Sequence, residues 1–183
     1  MCIRDRSNTI ISDVGSSKVK VIELAEKILK NKIFVPGHPI AGTEKSGPQN
    51  GFKNLFKDKW FISTNCNLCN EKNIEYINSV WKKFGSKTIT MKPKDHDSIM
   101  AITSHIPHLI AYNIVGTASE LEDDIKSEVI KFSASGFRDF TRIASSDPVM
   151  WRDIMLSNKD EIILLLEKFN SDLKEVIDAI KNN

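Results

Sequence analysis

Lys87-Thr88-Ile89-Thr90-Met91-Lys92-Pro93 is the stretch at which the character of this 183-residue chain changes. Its first five residues predict a β-strand, and after Pro93 the strand pattern disappears. Upstream, short apolar strands alternate with amphipathic helices, whereas every downstream segment has a helical pattern. We therefore predict an α/β fold over residues 1–92 and an all-α domain over residues 93–183.

The upstream part has the order strand, helix, strand, loop, strand, helix, strand. The predicted strands are 9–13, 33–35, 60–63 and 87–91, and the predicted helices are 16–31, capped by Ser16 or Ser17, and 71–84. This order indicates a mostly parallel sheet with covering helices. The segment 38–51, rich in glycine and proline, is predicted to be a long irregular loop of the kind that often carries function.

The downstream part predicts helices over 95–119, with an interruption at Pro107, and around 121–132, 147–157 and 159–181. The stretch 99–115 is too apolar to present a face to water. We expect it to be buried among other helices or against another subunit, which favours a homodimer.

Composition excludes several classes of protein. The chain has 26 Lys and Arg against 24 Asp and Glu, for a net charge of +2, which gives no support to nucleic-acid binding. No apolar run approaches the roughly 18 residues of a membrane span. Three cysteines argue against a disulfide framework and for a reducing compartment. Cys66 and Cys69 have metal or redox spacing, but no further ligands lie nearby in sequence, so we expect ordinary thiols and no metal.

Four histidines and one charged cluster are candidates for chemistry. His38 follows a strand, and the carboxyl ends of strands are where open α/β sheets bind ligands. His105 and His108 share a helix face beside Pro107, where a kink is expected. For each histidine, a hydrogen-bonded structural imidazole remains the alternative, and the kinked helix is equally consistent with packing at a dimer seam.

The charged cluster is Arg138, Asp139 and Arg142, in a segment predicted to be a loop. Arginine suits two-point binding of a carboxylate. A surface ion-pair network is the alternative.

Five separated segments resemble, in order, the signatures of prephenate dehydrogenases, with the bacterial cyclohexadienyl dehydrogenases as the nearest type. They are 12–16 (SDVGS), 37–47 (GHPIAGTEKSG), 95–97 (DHD), 104–108 (SHIPH) and 136–144 (GFRDFTRIA). The resemblance implies an NAD- or NADP-dependent oxidative decarboxylation of prephenate to 4-hydroxyphenylpyruvate, or of arogenate, in tyrosine biosynthesis. It also implies a cytoplasmic homodimer built from a Rossmann-like nucleotide domain and a helical dimerisation domain.

The same resemblance assigns roles to residues of this sequence. The catalytic group is His38, Ser16 and Glu44, with His38 as the base for the substrate hydroxyl. The residues expected to bind substrate are Arg142, His96, His108, Asp139 and Trp151. Those expected to contact the cofactor are Asp13, Gly15 and Ser16.

One feature of the family's pattern is missing from this sequence. The glycine-rich phosphate fingerprint Gly-x-Gly-x-x-Gly does not occur in it. We therefore expect a fragment that carries the C-terminal part of the nucleotide domain and the helical domain, is inactive alone, and has foreign sequence at residues 1–6. Two alternatives are a non-catalytic helical dimerisation or regulatory module and another two-domain dehydrogenase of the β-hydroxyacid type.

Overall fold

The computed structural model describes residues 9–42, 47–121, 125, 128–129 and 131–182. Residues 1–6, predicted to be foreign, lie outside this set. The described chain forms two compact units, one comprising residues 9–42 and 47–100, the other comprising the residues from Ala101 onward. The predicted domain boundary at residue 93 stays a prediction.

Five strands and three α-helices make up the first unit. The strands are β1 (Ile10–Ser12), β2 (Ile33–Val35), β3 (Gly37–Pro39), β4 (Trp60–Thr64) and β5 (Lys87–Met91). The helices are α1 (Val19–Ile28), α2 (Glu71–Lys83) and α3 (Pro93–Met100), with a 3₁₀ turn at Pro48–Asn50. All four predicted strands are present.

The strands pair in two sets, and one pairing departs from the parallel prediction. β1 pairs with β2, and β4 with β5, in parallel, but β3 runs antiparallel to β4. Pro36 has no N–H to donate, so the chain leaves β2 there, and it resumes pairing at once as β3. His38, predicted to open a loop, instead lies opposite Ile62 in this ladder.

A close packing contact fixes the path of β3. The Phe61 ring is fully buried and stacks on Trp81 with 4.5 Å between ring centroids. A Cβ at Gly37 would come within 2.5 Å of the Phe61 ring. Only glycine therefore allows β3 to lie this close to β4, and that approach positions His38.

Helix α1 begins differently from the prediction. Ser16 and Ser17 were the expected caps, but the helix begins at Val19 and is capped by a carboxylate that is distant in sequence. Asp97 accepts hydrogen bonds from the backbone N–H groups of Lys18 at 2.7 Å and Val19 at 2.9 Å. An anion at a helix N-terminus is stabilised by the unpaired amides and the helix dipole, and it satisfies them better than a serine hydroxyl.

The second unit is helical among its described residues. A π-helical turn (Ala101–His105) precedes α4 (Ile106–Ser119), α5 (Ser135–Ala144), α6 (Pro148–Ser157) and α7 (Lys159–Lys181). Pro107 sits in the first turn of α4, where its missing N–H costs little, and the π-turn before it is the irregularity that the sequence predicted as a kink. The predicted helix 121–132 falls partly outside the described residues.

The prediction of a loop around Arg142 is wrong, because these residues form α5. Gly136 and the β-branched Thr141 lower helix propensity there, which made the segment look irregular. On one turn of this helix, Asp139 and Arg142 become neighbours three residues apart.

Apolar side chains remain exposed on the second unit. On α7, Leu164 is 62% exposed and Ile180 is 72% exposed. Ile102 and Ile114, from the stretch predicted to be buried, are also exposed in the single chain. No helix in the described part of the chain is both long enough and apolar enough to cross a membrane. These surfaces fit contact with another protein chain.

We predict that Phe61→Ala lowers the free energy of unfolding of the first unit by about 3–5 kcal/mol, because the ring is fully buried. Urea unfolding followed by far-ultraviolet circular dichroism measures this change. Trp60→Ala is the matched control, since Trp60 is the preceding residue of the same strand but 48% exposed. Equal losses for the two variants would contradict the packing described here.

Candidate active site

The turn after β1 is organised by the Asp13 carboxylate. One oxygen, Oδ1, accepts from the Gly37 amide at 3.0 Å, and the other, Oδ2, accepts from the Gly15 amide at 2.9 Å. Oδ2 also forms an ion pair with Lys18. Asp13 thus ties the end of β1 to the start of β3, directly before His38.

Lys18 is fully buried beside this turn. Its ammonium donates to the carbonyl oxygen of Gly37 at 2.6 Å and pairs with Asp13. Burial lowers the pKa of Lys18, while the Asp13 carboxylate acts in the opposite direction. A buried ammonium is tolerated only with such partners, so the pair holds Gly37 in place through both its N–H and its carbonyl.

His38 lies at the head of a chain of hydrogen bonds. Its Nδ1 is 2.9 Å from Nε2 of His96, and Nδ1 of His96 is 2.7 Å from Oδ1 of Asp97. The two imidazole rings meet edge to face with 5.1 Å between their centroids. His96 and Asp97 are buried, whereas His38 is partly accessible. The structure therefore brings together two of the predicted site residues, His38 and His96.

Two residues of this centre were missed by sequence reasoning. Asp97 was visible within the 95–97 segment but had no role assigned, although a carboxylate next to a histidine is a signal for a hydrogen-bonded pair. Lys18 carried no signal, because a lysine at a helix start normally faces solvent. Its burial depends on the Asp13 carboxylate and on the carbonyl oxygen of Gly37, 19 residues later in the chain.

In the second unit, a different group of predicted residues comes together. The His108 ring stacks on Trp151 with 3.6 Å between centroids, and its Nδ1 lies 2.9 Å from the carbonyl oxygen of Ser104. The pKa of His108 is lowered, chiefly by burial and also by the positive charge of Arg142, although the hydrogen bond to Ser104 acts in the opposite direction. His108 is therefore held neutral, with Nδ1 donating to that carbonyl.

Arg142 forms an open ion pair on α5. Its guanidinium lies 3.4 Å from Oδ1 of Asp139, and both side chains are more than half exposed. A pair held at that distance in water is weak, so the guanidinium can exchange Asp139 for another carboxylate. This unit thus places an exchangeable cation near a neutral imidazole and an indole ring.

His105 has a structural role. It is buried, its Nδ1 lies 3.2 Å from Nδ2 of Asn158, and its ring meets Trp151 at 6.2 Å. It helps to join the π-turn to α6 and α7 around the cluster of Ala101, Ile106 and Ile162. The structural alternative stated for the histidines applies to this one.

Cys66 and Cys69 are two free thiols with their sulfur atoms 3.5 Å apart. Cys66 donates to the carbonyl oxygen of Phe34 at 3.2 Å and packs against the cluster that contains Phe34. The contact between the two sulfur atoms lowers the pKa of Cys69 to about 7. These thiols support β2 from the loop after β4.

The remaining predicted site residues stay predictions. Glu44 lies outside the described residues. Ser16 is half-buried in the turn between β1 and α1. Gly15 donates its amide hydrogen to Asp13.

A nicotinamide dinucleotide, which the sequence resemblance implies, fits these residues only in part. Helix N-termini often bind phosphates, but the N-terminus of α1 is occupied by the Asp97 carboxylate. The polar turn after β1 and His38 lie at the carboxyl ends of the parallel pair β1 and β2, where open sheets bind ligands. The described residues therefore fit the reacting end of such a cofactor rather than its pyrophosphate.

Both parts of the chain match models of domains from one protein family. The family model for the nucleotide-binding domain of prephenate dehydrogenase matches residues 4–90, and that for its dimerisation domain matches residues 92–183. The chain is 41% identical to the cyclohexadienyl dehydrogenase of Zymomonas mobilis over 175 residues, which is 96% of this chain and 60% of that protein. It is 38% identical to the prephenate dehydrogenase of Bacillus subtilis over 91% of this chain and 44% of that protein.

The fold of the chain is also similar to that of a solved structure from this family. Prephenate dehydrogenase from A. aeolicus, in complex with hydroxyphenyl propionate and NAD⁺, superposes with a TM-score of 0.87 at 36% identity, covering 97% of this chain and 61% of that one. The chain spans about 60% or less of the length of the curated relatives named here. The two domain matches together span residues 4–90 and 92–183, and the chain belongs to the prephenate dehydrogenase family.

Proposed function

We propose that this chain carries catalytic and substrate-binding residues of an NAD- or NADP-dependent dehydrogenase that decarboxylates prephenate or arogenate. The observation that carries the proposal is the contact of the partly accessible His38 with the buried His96 at 2.9 Å. The names of the Zymomonas mobilis and Bacillus subtilis relatives, and the ligands of the A. aeolicus structure, support it.

The reaction needs a group that accepts the proton of the substrate hydroxyl as the carbon bearing it is oxidised. His38 has the right chemistry, because a neutral imidazole can accept a proton through its unprotonated nitrogen. A nicotinamide ring bound nearby would take the hydride, which no side chain can do. Loss of carbon dioxide then completes the aromatic ring and makes the step irreversible.

The neighbours of His38 hold it for this task. Asp13 and Lys18 fix Gly37 from its amide and its carbonyl sides. Ser16 lies in the same turn as Asp13 and Gly15 and is proposed to form a hydrogen bond beside the substrate hydroxyl. The same turn is proposed to face the cofactor. Glu44 is proposed to polarise or gate the pocket.

The substrate carboxylates are proposed to bind residues of the second unit. Arg142 offers a planar guanidinium that suits a carboxylate, and its weak pair with Asp139 can be exchanged. His108, stacked on Trp151, presents its neutral Nε2 as a hydrogen-bond acceptor for a donor group of the substrate, and the indole offers an apolar face to the ring of the substrate.

We further propose a cytoplasmic homodimer assembled through the second unit. The support is the match to a dimerisation domain and the exposed apolar side chains of α7, among them Leu164 and Ile180. Burial of such side chains is the main source of stability in permanent dimers.

The first test concerns His38. A chimera that joins this chain to the part of the Zymomonas mobilis relative that it does not cover is assayed with prephenate and with arogenate, each with NAD⁺ and NADP⁺. In this background His38→Ala should lower kcat about 10²-fold or more with a modest change in KM, because a base acts in the transition state. Thermal unfolding of the variant checks its fold. Turnover close to that of the parent would remove His38 from the catalytic role.

The second test compares two arginines. Arg142→Ala should raise KM for prephenate about 10- to 100-fold, since a charged hydrogen bond contributes about 1.5–3 kcal/mol. Arg152 is the matched control, because it is 62% exposed and paired with Asp153, much as Arg142 is 57% exposed and paired with Asp139. Arg152→Ala should leave KM close to that of the parent. Equal increases in KM for the two variants would show that substrate binding responds to the loss of any positive charge and not to Arg142 in particular.

The third test concerns the cofactor. This chain alone should bind NAD⁺ weakly, because the N-terminus of α1 is occupied by Asp97 and the sequence has no Gly-x-Gly-x-x-Gly. Isothermal titration of the chain with NAD⁺ and NADP⁺ measures this, with the chimera as the binding control. Binding by the chain as tight as that of the chimera would contradict the fit described above.

A further inference from the structure

We propose that His96 and Asp97 act as positioning residues that fix His38 in the tautomer with the proton on Nδ1. In this tautomer Nε2 of His38 carries the lone pair that accepts the substrate's hydroxyl proton. The inference rests on the proposed function of His38 and adds a role for two buried residues behind it.

The chain of hydrogen bonds is anchored at Asp97. Asp97 is 1% exposed, and its carboxylate accepts from the amides of Lys18 and Val19 at the N-terminus of α1. Backbone N–H groups can only donate, and the helix dipole favours an anion at this end. Asp97 is therefore held ionised, and an ionised carboxylate can only accept a hydrogen bond.

The polarity of the next link follows from Asp97. Nδ1 of His96 lies 2.7 Å from the carboxylate, so it must carry a proton and donate it. In a neutral imidazole the other nitrogen is then an acceptor. Nε2 of His96, which is 0% exposed, thus presents a lone pair to His38.

The last link determines the state of His38. Its Nδ1 lies 2.9 Å from the accepting Nε2 of His96, so Nδ1 must be the protonated nitrogen. In water a neutral histidine side chain favours the proton on Nε2. With the proton there, Nε2 of His38 would be a hydrogen-bond donor instead of an acceptor. The buried pair therefore imposes the less common tautomer, the one that a base acting through Nε2 requires.

The same chain acts after proton transfer. When Nε2 of His38 takes the hydroxyl proton, the ring becomes an imidazolium while its Nδ1–H stays bonded to His96. The new positive charge then lies two hydrogen bonds from the Asp97 carboxylate in a buried environment, where an opposite charge is felt strongly. Both nitrogens of His96 are engaged in this chain, which gives His96 a positioning role rather than contact with the substrate.

The experiment reads tautomers directly. The 183-residue chain is labelled with ¹⁵N-histidine, and long-range ¹H–¹⁵N correlation spectra are recorded at about pH 8, above the ordinary histidine pKa near 6.5. We expect both His38 and His96 to show a protonated Nδ1 and an unprotonated Nε2. The signals are assigned from their loss in His38→Ala and His96→Phe. A neutral His38 with its proton on Nε2 in the unsubstituted chain would overturn the proposal, whatever the variants do.

The variants test the cause. His96→Phe keeps a ring in the buried site but removes the acceptor, so His38 should shift towards the Nε2–H tautomer. His105→Phe is the matched control, because His105 is also buried, at 1% exposure, and has its own side-chain partner, Asn158. It should leave the His38 signals unchanged. A His38 that keeps its Nδ1 proton in folded His96→Phe would show that His96 does not set the tautomer.

These spectra need neither substrate nor cofactor, so they are independent of the turnover assay. An Nδ1-protonated His38 in a chimera that turns over neither prephenate nor arogenate would end the proposed function and leave this inference standing. Turnover together with an Nε2-protonated His38 would end this inference and leave the proposed function standing.

Discussion

The first unit depends on one buried carboxylate, that of Asp97. It accepts hydrogen bonds from the backbone amides of Lys18 and Val19, at the start of α1, and from His96. One group thus satisfies a helix terminus that would otherwise bury unpaired donors, and it also sets the hydrogen-bond direction in the histidine pair. Stability and chemistry are coupled there, because any change that loosens Asp97 affects both the start of α1 and the ring of His38.

A second buried charge, the ammonium of Lys18, holds the start of β3 in place. Lys18 contributes its backbone amide to Asp97 and its ammonium to Asp13 and to the carbonyl oxygen of Gly37. The two carboxylates therefore share one lysine residue, and His38 follows directly after the glycine that Asp13, Lys18 and Phe61 constrain. The position of His38 is set by contacts to the backbone of Gly37 and by the pairing of β3 with β4, and these hold it more rigidly than a loop would.

Sequence patterns predicted most of the elements and part of the site. Strands β1, β2 and β4 were visible because each is a short, mainly apolar run, β5 because it is rich in β-branched residues, and α2 because Ile74 and Ile77 recur with helical spacing. Strand β3 was missed because Gly-His-Pro has no strand propensity, and its pairing comes from the fit of Gly37 under Phe61. The pairing of His38 with His96 could not be predicted, since nothing in a sequence tells which residues 58 positions apart are 2.9 Å apart.

The two ion pairs, Lys18 with Asp13 and Arg142 with Asp139, show why one cation is structural and the other is suited to a substrate. Lys18 is 0% exposed, so separating it from Asp13 would leave an uncompensated charge in the interior, at a cost of about 3–5 kcal/mol. Arg142 is 57% exposed and its partner 69%, so water already screens the pair, and replacing Asp139 by another carboxylate costs little. The neutral His108 beside it, whose Nδ1 proton is bonded to the Ser104 carbonyl, adds an acceptor nitrogen and no second positive charge. An anionic substrate is therefore expected to displace Asp139 from Arg142, and to leave the Lys18 pair intact.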